Sequence, residues 1–214
     1  MTGTGLVVIG AGTFAVEVAR YLGDLVAAGH DDYRVARYLA VAGEPVHAPV
    51  ELCAALDDFA PEPGTRVVLA LADPALRRPL IDGLIAGHGL DAVNVVHPAA
   101  RVGPAQIAGA GNIIGPDCYV GADAVLGGFN VVHYHCSIGH HSRVGSNNFF
   151  APNFHCGSDV EIGDDNYFGL SCTIAPGVDA GSGSRFQAGI TLFENPASGH
   201  SHLVPSRIKS IKTS

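Results

Sequence analysis

"IIGPDCYVGADAVLGGFNVVHYHCSIGHHSRVG" (113–145) repeats itself every six residues. Each hexad opens on an apolar residue, and a glycine usually follows. The frame extends without an insertion from Val102 to Leu192. All sixteen first positions are apolar, and eleven of the sixteen are followed by Gly. This is a six-residue apolar/Gly repeat held in one register over sixteen hexads. It implies a left-handed parallel β-helix, with one short strand per hexad and three hexads per coil. Residues 18 apart then stack, one strand spacing of ~4.8 Å from each other.

The columns follow from that arithmetic. Asn112, Asn130, Asn148 and Asn166 share one column, with Ser184 next. Stacked amides can hydrogen-bond along the axis. Cys118, Cys136, Phe154 and Cys172 share another, and Phe150, Phe168 and Phe186 a third. These cysteines read as small core residues, neither ligands nor nucleophiles. With five cysteines and no CxxC, a disulfide framework or a zinc knuckle is not indicated.

Ahead of the repeat, strand-like and helix-like stretches alternate. "LVVI" (6–9), "YRVARYLAV" (33–41), "RVVLALA" (66–72) and "AVNVV" (92–96) are the expected strands. "TFAVEVARYL" (13–22), "PVELCAALDDF" (49–59) and "DPALRRPLIDGLIAG" (73–87) are the expected helices, the last opened by Asp73 and Pro74. This order implies a small parallel sheet with helices packed on it. The chain thus divides into residues 1–96, a β-helix over 97–194, and a capping tail, 195–214. Gly10, Gly12 and Ala15 form a G-x-G-x-x-A turn after the first strand. Such a turn can cradle a phosphate at a helix N-terminus, or can be a tight connection that binds nothing. Both readings stand, and the acidic residue that often closes strand two is missing from "RYLAVAG".

The formal charge of −8, with only 12 Lys and Arg, disfavours nucleic acid and anionic membranes as partners. No apolar run is long enough to span a membrane, and the first residues lack a basic leader, so the cytoplasm is the expected location.

Five of the eleven histidines fall between 133 and 155: His133, His135, His140, His141 and His155. None occupies an inward first position. By stacking, His140 lies between Ala122 and Ser158, and His141 between Asp123 and Asp159. An imidazole with small neighbours and open space can serve as a general base for an amine or hydroxyl attacking an acyl carbonyl. Ser158 brings a backbone N–H beside it, a candidate oxyanion donor. A zinc site of the kind found in β-helical carbonic anhydrases fails on phase, because the paired ligand positions hold His140 and Gly145. No metal is expected.

On these motifs the chain resembles the bacterial sugar acyltransferases that acetylate nucleotide-linked amino sugars or sialic acids. "VVIGAGTFAVEVARYL", "HPAARVG", "SIGHHSRVGSNNFFAP" and "VPSRIK" are similar to segments in the same order in that family. The resemblance implies a Rossmann-like α/β substrate-binding domain followed by a left-handed β-helix acyltransferase domain. It implies a homotrimer using acetyl-CoA or another acyl-CoA as co-substrate, and a sugar-like acceptor. His140 matches the family's catalytic base. His141 stands where the family usually has an acid that orients the base. Phe149, Ser158, Leu170 and Ala188 match positions lining the CoA groove. Gly10, Gly12, Thr13, Phe14 and His133 match positions near the acceptor. Two departures concern that acceptor: Thr13-Phe14 replaces the family's Gly-His, and "YLAV" (38–41) replaces its "FLDD". A uridine-type ligand loses polar partners at both. A non-nucleotide acceptor, or an inactive trimeric binding protein, are the alternatives.

Overall fold

The structure is a computed structural model and describes residues 5–204. It opens with a parallel sheet of five strands: β1 (Leu6–Ile9), β2 (Val35–Ala40), β3 (Cys53–Ala55), β4 (Arg66–Leu69) and β5 (Asp91–Ala92). Their order across the sheet is β3-β2-β1-β4-β5. Helix α1 (Thr13–Ala27) follows β1, and α2 (Pro74–Pro79) follows β4, continuing as a wider π-helical turn over Leu80–Ala86. Asp73 caps α2 by accepting the Ala75 N–H at 3.0 Å, as the Asp-Pro pair suggested. Ala15, Val18, Leu22 and Leu25 of α1 are buried on one side of the sheet, against Val131 and Phe149 of the repeat. Ile81 and Ile85 are buried on the other side, against Ile9, Leu39 and Leu69.

The Rossmann-like reading is corrected here. Only two α-helices occur among the described residues, and no helix connects β2 to β4. The expected helix at 49–59 is instead a 3₁₀ turn (Val50–Leu52), strand β3 and a second 3₁₀ turn (Leu56–Asp58). The edge of β2 decides this: Tyr38, Leu39 and Ala40 pair in register with Cys53, Ala54 and Ala55. Backbone pairing to an open strand edge outweighs the helix propensity of so short a segment. The expected strand at 92–96 is likewise two pieces. Ala92 ends in the five-stranded sheet, and Val95–Val96 pairs with Ile113–Ile114 as the first rung of the repeat.

The repeat itself is a three-sided parallel β-helix. Two-residue strands stack at intervals of 18 residues on each side. The first face carries seven strands, from Val95–Val96 through Val131–Val132 and Phe149–Phe150 to Ser201–His202. The second face carries five, from Tyr119–Val120 to Thr191–Leu192, and the third carries three, from Val125–Leu126 to Glu161–Ile162. The first hexad positions fill the interior: Ile114, Leu126, Ile138, Phe150, Phe168 and Phe186 are all essentially buried. Phe150, Phe168 and Phe186 stack nearly parallel, 5.3 and 4.6 Å apart. Cys118, Cys136, Cys156 and Cys172 are buried and free.

The asparagine column is a continuous ladder that begins one rung earlier than the repeat frame, at Asn94. Asn112 N–H donates to Asn94 Oδ1, Asn130 N–H to Asn112 Oδ1, Asn148 N–H to Asn130 Oδ1, Asn166 N–H to Asn148 Oδ1, and Ser184 N–H to Asn166 Oδ1. At the far end the His202 ring stacks on Phe186 at 4.7 Å and closes the core there. Residues 205–214 of the expected capping tail, most of "VPSRIK" among them, lie outside the described residues.

Every coil turns its corners through residues with positive φ. Asp117, Asp123, Phe129, His135, His141, Asn147, Asn153, Asp159, Asp165 and Ser171 all lie between +56° and +62°. This is the left-handed region, which Asn, Asp and His tolerate better than other side chains. The glycines of the repeat serve a different need. A Cβ on Gly121 would lie 2.5 Å from the His140 backbone nitrogen in the next coil.

The sheet and the prism share a buried junction. Arg77 of α2 is fully buried there and donates to the Phe129 carbonyl, while its Nε and Nη1 find no partner. Burial pulls its pKa down to about 9. Arg78 binds Asp165 at 2.7 Å, and Arg185 binds Asp73 at 3.0 Å.

Candidate functional site

His140 and His141 form the corner between the second and third faces, between strands Ser137–Ile138 and Arg143–Val144. Both are exposed. Their Nδ1 atoms are 2.8 Å apart, and His141 Nε2 lies 3.6 Å from Asp123 Oδ2, one coil back. One tautomer satisfies this geometry and leaves a free base. His140 Nδ1–H donates to His141 Nδ1, His141 Nε2–H points at Asp123, and His140 Nε2 keeps its lone pair toward solvent. Of the two stacked acids, Asp123 has this contact; Asp159 instead uses its backbone N–H to bind the His140 carbonyl at 3.0 Å. Ser158 is half-buried in the same corner column, one coil on.

The other residues singled out from the sequence fall in two further places. Leu170 and Ala188 are exposed and share the corner column between the first and second faces. Phe149 is buried on the first face, stacked on Tyr167 at 5.0 Å. It touches Phe14 at the start of α1, with centroids 5.8 Å apart. His133 joins them, its ring 5.7 Å from Phe14 and its Nδ1 3.4 Å from the Tyr21 hydroxyl. Its Nδ1 also accepts the Tyr134 N–H at 3.1 Å. Desolvation holds its pKa below the usual imidazole value, with a smaller opposing pull from Glu17. Tyr21 is pushed the other way, mainly by burial and then by Glu17.

Next to this aromatic cluster lies a cleft of about 520 Å³ at the carboxyl ends of β1, β2 and β4. That is where open parallel sheets generally receive ligands. Gly12, Thr13 and Phe14 line it, as the glycine turn suggested, and so do Glu44 and His47, which the sequence did not single out, and Asp73, which it marked only as a helix cap. Gly10 lies behind them, with φ of +117° and a hypothetical Cβ 2.6 Å from the Ala70 carbonyl. Only glycine fits that turn. Within one chain, then, the His140 corner, the Leu170 corner and the cleft are three separate places. Among the described residues no group of three or more His, Cys, Asp or Glu side chains is arranged to hold a metal ion. No described helix is long and apolar enough to cross a membrane.

Solved structures share this sheet-plus-prism fold, an acetyltransferase domain among them. The acetyltransferase domain of PglB from Neisseria gonorrhoeae FA1090 matches with a TM-score of 0.76 at 24% identity, over 92% of this chain and 95% of that one. PerB from Caulobacter crescentus, solved with CoA and GDP-perosamine, matches with a TM-score of 0.71 at 24% identity, over 96% and 97%. WeeI from Acinetobacter baumannii AYE matches with a TM-score of 0.58 at 20% identity, over 87% and 95%. No protein-family model and no curated protein sequence matches the chain.

Proposed function

We propose that this protein is an acyl-CoA-dependent acyltransferase that moves an acetyl group to an amine or hydroxyl of a sugar-like acceptor, with His140 as general base. The observation that carries the proposal is the corner itself: an exposed imidazole whose partner imidazole and carboxylate leave its Nε2 free. The acceptor nitrogen or oxygen attacks the thioester carbonyl carbon while His140 Nε2 takes its proton. The charge gained is shared through His141 toward Asp123. The tetrahedral oxyanion is met by a backbone N–H near Ser158. It collapses with cleavage of the C–S bond, and the thiolate of CoA takes the proton back from His140.

The three separate places argue for assembly as a homotrimer. Outward residues of the second face are Arg101 at its first rung, then Tyr119, Ser137, His155, Thr173 and Thr191, with no Asp, Glu or Lys among them. The third face presents Arg143, Glu161 and Asp179, and the first is covered by the N-terminal sheet and α1. Prisms packed by their second faces would bring the His140 corner of one copy toward the Leu170 and Ala188 corner of the next. CoA would lie along that seam, with Phe149 behind it. The acceptor would enter from the cleft, held by the turn at Gly10, Gly12, Thr13 and Phe14 and by neutral His133. The neighbour PerB was crystallised with CoA and a nucleotide-linked amino sugar, and PglB with acetyl-CoA, which supports the reaction class. We place the enzyme in the cytoplasm, where acetyl-CoA is made.

The test has two arms. Calorimetry measures acetyl-CoA binding, and release of the CoA thiol is followed with a panel of free and nucleotide-linked amino sugars. The variant His140→Ala is expected to lose about 10²–10⁴-fold in turnover while binding acetyl-CoA within a few-fold of the parent. Turnover that survives this substitution refutes the mechanism.

A further inference from the structure

The glycine turn after β1 already holds an anion, and the anion is part of the chain. Ala11 and Gly12 donate their backbone N–H groups to the two carboxylate oxygens of Glu44, at 2.9 and 2.8 Å. These are the N–H groups that a phosphate would use in a turn of this type. Helix α1 needs such a partner: its cap is Gly12, it has no side-chain cap, and its first turn contains no acid. The fit is close, since a Cβ on Gly12 would lie 2.5 Å from Glu44 Oε1. The loop that delivers Glu44 is pinned at both ends. Glu44 N–H donates to the Val41 carbonyl at 3.0 Å, and the N–H groups of His47 and Ala48 donate to the Ala11 carbonyl at 2.8 and 3.0 Å.

The surrounding cleft offers a phosphate no replacement. Among the described residues no Lys or Arg lines it. Its second carboxylate, Asp73, is committed to the Ala75 N–H and to Arg185. A diphosphate entering here would meet a fixed carboxylate with no described Lys or Arg beside it to offset the repulsion. A hydroxyl or ammonium group would meet the opposite: carboxylate oxygens that each spend one lone pair on the turn and keep another for a donor.

We propose that Glu44 is a specificity-determining residue that fills the phosphate position of this turn, so that the cleft takes an acceptor carrying hydroxyl or amine donors and no diphosphate. The inference rests on the acyltransferase reading for the word acceptor, while the exclusion of phosphate rests on the turn alone. A free amino sugar fits this chemistry, and a nucleoside-diphosphate sugar does not.

The experiment compares the parent protein with Glu44→Gln and Glu44→Ala, each first checked for a cooperative melt. Calorimetric titrations use UDP, GDP and inorganic pyrophosphate, with CoA present at saturation so that nucleotides do not report the CoA groove. The parent is expected not to bind them at millimolar concentration, and the variants to bind at least about tenfold more tightly. In the thiol-release assay the parent is expected to prefer free over nucleotide-linked amino sugars by at least about tenfold, and the preference to shrink in Glu44→Gln. Parent protein that binds UDP or GDP as tightly as the variants, or that prefers a nucleotide-linked sugar, overturns the proposal. Variants that gain no affinity overturn it as well, and if neither variant folds, the parent's titrations and acceptor preference still decide it. Failure to bind acetyl-CoA would instead remove the acyltransferase reading, leaving the nucleotide titrations to judge Glu44 by themselves.

Discussion

Replacing Asn148 with Ala should cost this protein more than any surface change, and the amount can be worked out from the ladder. Asn148 is fully buried. Its Nδ2 donates to Asn130 Oδ1 at 3.0 Å and to the Gly163 carbonyl at 2.8 Å, and its Oδ1 accepts the Asn166 N–H at 2.9 Å. Asn130 Oδ1 still has the backbone N–H of residue 148 after the change. The buried Asn166 N–H and the partly buried Gly163 carbonyl both lose their Asn148 partner. At ~1–3 kcal/mol for each buried polar group left unpaired, the loss is about 4 kcal/mol. For a chain of this size that lowers Tm by roughly 8–16 °C. Ser184→Ala is the matched control at the last rung, where the hydroxyl makes only long contacts of 3.4 Å to the Ala197 carbonyl and the His200 N–H, and it should cost no more than about 1 kcal/mol. Urea denaturation followed by far-UV circular dichroism reads both. A loss below about 1 kcal/mol for Asn148→Ala would refute the ladder as a source of stability.

Arg77→Met should stabilise the protein by about 1–4 kcal/mol, because it removes a buried guanidinium with two unpaired N–H positions and keeps its volume; a drop in Tm comparable to that of Arg77→Ala would refute this. His133 has a folded-state pKa below its ordinary value of 6.5, so its stabilising share is complete above pH 6.5 and is lost as pH falls through the folded value. Urea midpoints from pH 7.5 down to about 5 should therefore fall less steeply in His133→Phe than in the parent. Light scattering coupled to gel filtration should give three times the mass of the 22.0 kDa chain, and Tyr119→Glu, which puts a carboxylate on the acid-free second face, should reduce it. A monomeric parent would separate the His140 corner from the other two places and end the shared-site reading.

The prism was readable from residues because its determinant is local and repeated. Each hexad sets the same strand, and a single frame from Val102 to Leu192 assigned the columns of Asn, Cys and Phe that the structure stacks. The sheet in front of it was less readable, because non-repeating contacts decide it. Cys53–Ala55 is a strand only because β2 offers an edge, and Val95–Val96 joins the prism only because Ile113–Ile114 is there to pair with. The ladder's first rung, Asn94, lies 18 residues before Asn112 and was available to the same arithmetic, hidden by assigning residue 94 to a strand of the first sheet. Glu44 carries no such signal. Its role depends on a loop folding back 32 residues onto the glycine turn, which neither spacing nor composition encodes.

The histidines divide along a similar line. His135 and His141 occupy the corner position that has positive φ in every coil, alongside Asp117, Asp123, Asn147 and Asp159. The backbone alone makes His an acceptable residue there, so their presence is weak evidence of chemistry. Phe129, at the same corner position with φ of +58°, is the exception that shows what the fold will bear: its carbonyl takes the Arg77 hydrogen bond, and its ring packs into the core behind the sheet. His140 has no such excuse. It lies one residue before the strained position, in a column that also holds Pro104, Ala122, Ser158, Pro176 and Glu194, where the backbone asks for nothing that imidazole supplies. The weight of the catalytic argument therefore falls on His140, with His141 contributing through the 2.8 Å contact between their rings. His141→Asn keeps a residue that tolerates the corner and removes the imidazole. It should leave the melting temperature within a degree or two and lower kcat more than it raises KM, shifting the pH at which turnover is half-maximal. A variant that matches the parent in all three would reduce His141 to a corner residue and leave His140 to act alone.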